Sequence, residues 1–128
     1  MFKNIKKRII EANRKLRGLN PKEIKIFTFP YGDAYNWFTD SDIACESWVD
    51  YIITTQLIVN KVKAHGYANC TLVMDNSKYG KKESHIDWAY AITKEDCKSL
   101  SELEEKNNKD YILLVVTGCI ETKEVKLG

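Results

Sequence analysis

Between Ser41 and Gly66 the chain reads SDIACESWVDYIITTQLIVNKVKAHG. Wound at about 100° per residue, Ala44, Trp48, Tyr51, Ile52, Ile58, Val59 and Val62 fall in one broad arc, which Val49 and Ile53 widen. Ser47, Asp50, Thr54, Lys61 and His65 gather opposite. The pattern predicts a helix over residues 41–65, about 38 Å long and buried on most of its sides. Thr39, Asp40, Ser41 and Asp42 offer oxygens to the free N–H groups at its start, and Gly66 suits the left-handed stop at its end. The remaining elements are expected to pack on this helix.

Upstream, Phe2, Ile5, Ile9, Ala12, Leu16 and Leu19 are spaced 3-4-3-4-3. That is a narrow helical stripe over residues 1–18, which Gly18, Asn20 and Pro21 close. EIKIFTF, residues 23–29, alternates as a strand, with Ile24, Ile26 and Thr28 on one face and Lys25, Phe27 and Phe29 on the other. Residues 69–75 and 85–92 read as two more strands joined by the turn-rich NSKYGKKES. Setting Val73 opposite Asp87 places Cys70, Leu72 and Met74 beside Ile86, Trp88 and Tyr90. Thr71, Val73 and Asp75 then share the other face with His85, Asp87 and Ala89. Residues 94–110 predict a short polar helix, with Ser99–Glu102 or Ser101–Glu104 as a capping box. YILLVVTGCI, residues 111–120, is apolar on both faces, the mark of a central strand, and Gly118 suits a bulge.

The fold class that follows is α+β, in one domain spanning residues 1–128. Its element order is α-β-α-β-β-α-β, with a mainly antiparallel four-stranded sheet packed on the long helix at 41–65. Without its first helix the order is that of a split β-α-β arrangement, which by itself implies nothing about function.

Composition refines this picture. Of the 128 residues 44% are hydrophobic and 30% charged, as in globular domains. The net charge of +2 conceals an asymmetry: residues 1–18 hold seven Lys or Arg and one Glu, giving +6, so the rest carries −4. No apolar run approaches the roughly 20 residues of a membrane span, and no apolar signal core precedes the first strand. A cytoplasmic protein is expected, with no membrane partner. Cys45, Cys70, Cys97 and Cys119 form no C-x-x-C pair, so they read as buried thiols and not as zinc ligands.

Three groups of residues are candidates for function. The loop at residues 30–42 interleaves Tyr31, Tyr35, Trp37 and Phe38 with Asp33 and Asp40. Its rings can either cap the core or form the hot spot of a protein interface. The N-terminal helix carries Lys3, Lys6, Lys7, Arg8, Arg14, Lys15 and Arg17. With Lys78, Lys81 and Lys82 of the hairpin loop these could contact nucleic-acid phosphates, and the helix could instead form the seam of a homodimer. Two carboxylate groups could hold a metal: Asp42, Glu46 and Asp50, one turn apart, and Asp75, His85 and Asp87 at the hairpin. No phosphate-binding glycine loop, H-E-x-x-H or G-x-S-x-G occurs. The expectation is a small non-catalytic domain without a cofactor, working through a protein partner as inhibitors, immunity proteins and adaptors do. Nucleic-acid binding is the alternative, and a metal-dependent hydrolase or nuclease the third reading.

Overall fold

The computed structural model describes residues 3–18, 25–30, 37–38, 48–76, 86–96, 99–105 and 111–117. The elements run α1 (Lys3–Leu16), β1 (Ile26–Phe29), α2 (Trp48–Ala64), β2 (Asn69–Asp75), β3 (Ile86–Thr93), α3 (Leu100–Glu105) and β4 (Tyr111–Thr117). The strands form one antiparallel sheet in the order β1-β4-β3-β2. This is the α+β domain the hydrophobic pattern predicts, in the predicted element order. Three antiparallel steps set β1 and β2 antiparallel on opposite edges, so α2 does not complete a β-α-β crossover, which joins parallel strands.

The centre of the molecule is the β3–β4 pair. Every residue of β3 is buried, and so is β4 apart from the half-buried Ile112. Alternation along β4 feeds two cores. Tyr111, Leu113 and Val115 meet Ile5, Ala12 and Leu16 of α1 and Leu103 of α3 on one face. Leu114 and Val116, with Ile112, meet Ile58 and Val62 of α2 on the other. The sheet is therefore sandwiched, with α1 and α3 on one side and α2 on the opposite side.

This arrangement overturns the expectation of a long helix buried nearly all round. The stripe of α2 that meets the sheet runs Thr54, Ile58, Val62, all fully buried, at one-turn spacing. Ile52 and Ile53, assigned to the buried arc, are 50% and 59% exposed, and Thr54, assigned opposite, is inside. A helix lying on a sheet buries one side only, however apolar its remaining positions are. Its predicted start, Thr39–Asp42, and Ala44 lie outside the described residues.

The hairpin register also departs from expectation. Cys70 faces Ile92 and Leu72 faces Tyr90, two residues along from the predicted pairing, so the faces are kept. Val73 is then an extra residue in β2, with Met74 opposite Ala89 and Asp75 opposite Trp88. Asp87 is likewise extra in β3, between the pairs Ile86–Thr117 and Trp88–Val116. These two bulges shift phase. Met74 and Ile86 consequently pack in the α1 core and not beside Trp88, while Asp75 joins the row of Trp88.

Candidate functional site

Two surfaces bring chemistry-bearing side chains together, one on each side of the sheet. The first is α1. Its first turn contains no acidic residue to satisfy the free N–H groups and the positive end of its dipole. Glu104 of α3 does so from 100 positions away. Its carboxylate accepts from the backbone N–H of Asn4 and, at 3.1 Å, from that of Ile5. The Asn4 side-chain amide donates back to the Glu104 carbonyl at 3.4 Å. Further along, Arg8 Nη1 donates to the Tyr111 carbonyl at 2.6 Å, with its guanidinium 4.2 Å from the centre of the Tyr111 ring. Burial pushes the Tyr111 hydroxyl above its ordinary range; Arg8 opposes this, and Glu104 and Glu11 add to it.

Arg8 is thus half-buried and engaged, unlike its neighbours. Lys3, Lys6, Lys7, Arg14, Lys15 and Arg17 are exposed on the remaining faces of α1. Lys15 extends over β1, with its ammonium 5.9 Å from the ring centre of Phe27 and 6.0 Å from that of Phe29. Ile10 stands among these cations and is 49% exposed.

The second surface lies at the C-terminal end of α2. Gly66, at φ +89°, takes the left-handed conformation that a side chain disfavours. The Gly66 N–H then donates to the Lys63 carbonyl at 3.1 Å and the Tyr67 N–H to the Val62 carbonyl at 3.3 Å. This is the Schellman stop, and it folds Tyr67 back against the α2 core. Trp37 stacks on His65 with ring centres 4.0 Å apart and planes 12° from parallel, and meets Tyr67 at 5.8 Å and 49°. The His65 Nδ1 lies 2.7 Å from the Lys61 carbonyl. A carbonyl only accepts, so Nδ1 carries the proton and Nε2 is left outward. Phe38 sits under the Lys61 ammonium at 5.9 Å, and Tyr67 under that of Lys94 at 5.5 Å.

Trp37 and Phe38 are both half-buried and pack on the α2 core, so these two rings of the predicted loop do cap it. Tyr31, Asp33, Tyr35 and Asp40 lie outside the described residues. His65, Tyr67, Lys61 and Lys94 were not picked out from the sequence as neighbours of Trp37. The available signal was the G-Y pair after the helix, because a Schellman stop turns an apolar residue inward just past its glycine.

Of the remaining candidates only Asp50, Asp75 and Asp87 fall among the described residues. Lys78, Lys81 and Lys82 lie outside the described residues, as do Asp42, Glu46 and His85; Asp50 falls in the first turn of α2. Asp75 is half-buried and Asp87 fully buried, and Asn76 donates its N–H to the Asp87 carbonyl at 2.7 Å and its side-chain amide to the Ile86 carbonyl at 3.1 Å. Among the described residues no group of three or more His, Cys, Asp or Glu could hold a metal ion. Cys70 is a free thiol in β2, half-buried where a buried one is expected; burial pushes it up to about 11, against a lowering by Lys63. Cys45, Cys97 and Cys119 lie outside the described residues. No described helix is long and apolar enough to cross a membrane. No family model, curated protein or solved structure matches the chain.

Proposed function

We propose that this is a non-catalytic binding domain that captures a protein partner, in the manner of an inhibitor, immunity protein or adaptor. The observation that supports it is the aromatic cluster at the end of α2, where Trp37 lies flat on the exposed His65 beside Tyr67. Rings fixed by packing make good anchors because little side-chain freedom is lost when a partner covers them. The cluster is assembled from three separate stretches of chain: the loop after β1, the turn after α2, and Lys94 after β3.

The test is capture from the native host, read by mass spectrometry, with wild type and His65→Ala side by side. Retention of one stoichiometric protein by the wild type and its loss in the variant, with matching melting curves, is the expected result. Equal retention by both proteins, or none by the wild type, overturns the reading. His65→Ala is preferred to Trp37→Ala because Trp37 also packs on the core and would disturb stability.

A further inference from the structure

We infer that the outer face of α1 is a second docking surface, shaped for an acidic protein surface with an apolar recess that receives Ile10. Ile5, Ala12 and Leu16 are buried and fix the inner side of the helix. On the opposite side lie Lys3, Lys7, Ile10, Glu11 and Arg14, flanked by Lys6 and Arg17, all of them exposed, so that one carboxylate stands among five cations. The stripe spans about 21 Å. Its positive charges form two groups, Lys3, Lys6 and Lys7 at one end and Arg14 and Arg17 at the other. The half-exposed Ile10 fills the gap between them. The face is also held in place before any partner arrives. Glu104 clamps the start of the helix and Arg8 ties its middle to β4, so docking incurs little ordering cost.

Charge and shape together choose among the possible occupants of this face. A second copy is disfavoured by charge. An antiparallel pairing centred on Ile10 sets Lys3 against Arg17 and Lys6 against Arg14, and a parallel pairing sets every cation against itself. A lipid surface needs the apolar side of an amphipathic helix, and here the sheet already occupies that side. A nucleic acid satisfies the cations through phosphate, but its backbone offers no apolar partner to Ile10, which is set among those cations. A protein can present carboxylates around a small apolar depression, which is the usual anatomy of an interface core and rim.

The experiment uses the full chain and three labelled probes of equal charge: a glutamate–leucine peptide, polyglutamate, and a duplex oligonucleotide. Binding is read by fluorescence anisotropy at low and moderate salt. The leucine-bearing peptide should bind about tenfold tighter than polyglutamate, the increment expected from covering one half-exposed isoleucine. Ile10→Ser should abolish that increment and leave polyglutamate binding unchanged. The double variant Lys7→Glu with Arg14→Glu should lose both peptides, and its circular dichroism melt reports whether the helix remains in place. Tighter binding of the oligonucleotide than of the peptide, an Ile10→Ser protein that retains the increment, or no binding of any probe would each overturn the inference. His65→Ala lies on the other side of the sheet, so the outcome here is independent of the test of the aromatic cluster.

Discussion

The two faces of the sheet solve the same packing problem with different materials. Towards α1 and α3 the sheet presents Ala89 and Ala91 among Ile86, Tyr111, Leu113 and Val115, and α1 answers with Ile5, Ala12 and Leu16, so side chains of mixed size interlock. Directed bonds then secure the layer, from Glu104 to the start of α1 and from Arg8 to Tyr111. Towards α2 the sheet presents Trp88 and Tyr90, large rings that fill the space beneath Ile58 and Val62. The polar tether on that side is the Tyr90 hydroxyl donating to Thr55 Oγ1 at 3.2 Å. Ala12, fully enclosed, leaves no room for added volume, and Trp88, equally enclosed, leaves a void if it is cut back.

That contrast can be broken by exchanging the insults. Trp88→Ala should cost about 4 kcal/mol in urea unfolding, the toll of emptying a fully enclosed site. Ala12→Leu should cost about 2 kcal/mol, because the helix must lift off the sheet to admit the branch. If the enlargement on the α1 side proves neutral, the close-packed account of that layer is wrong. Glu104→Ala should cost about 1 kcal/mol and fray the start of α1, seen as faster amide exchange there than at its far end. Ile53→Ser should stay within about 0.5 kcal/mol of wild type, since its side chain is already 59% exposed. A loss like that of Trp88→Ala would show that another layer covers α2.

Cys70 gives a signal only at alkaline pH. In the fold its thiol titrates near 11, against the ordinary 9.0, so on raising the pH the unfolded chain releases its proton first. Its contribution to stability is intact below pH 9.0 and is lost as the pH climbs towards 11. Cys70→Ala should therefore show a shallower alkaline decline than the wild type in melts taken across that range.

Much of this was legible in the residue pattern where one period dominates. The stripe through Ile5, Ile9, Ala12 and Leu16 has a single solution, and it is the face that packs. The apolar run of β4 could only be central. Ser99 does cap α3, its Oγ accepting from the Glu102 N–H at 3.1 Å, which left Glu104 available for α1. What was not legible has equally physical causes. Helix α2 is apolar at too many angles for its pattern to choose a side, and the side it does bury includes Thr54, which polarity alone places outside. The bulges fall at Val73 and Asp87, residues that carry no local mark of irregular backbone. The Trp37 cluster joins residues distant in sequence through the left-handed turn at Gly66, and no spacing rule spans such a distance.

An open sheet has two bare margins, each a row of backbone donors and acceptors that invites other chains to polymerise on it. Among the described residues one margin is β1, only four residues long and followed at once by Pro30, which lacks an N–H. The other is β2, where the bulge at Val73 interrupts the ladder halfway and twists the strand out of line. Straightening that strand by deleting Val73 would preserve every existing pair, yet leave a flat sticky rim beside the exposed Leu72. The irregularity that most disturbs the hairpin's symmetry is thus also a guard against strand-by-strand growth along that edge.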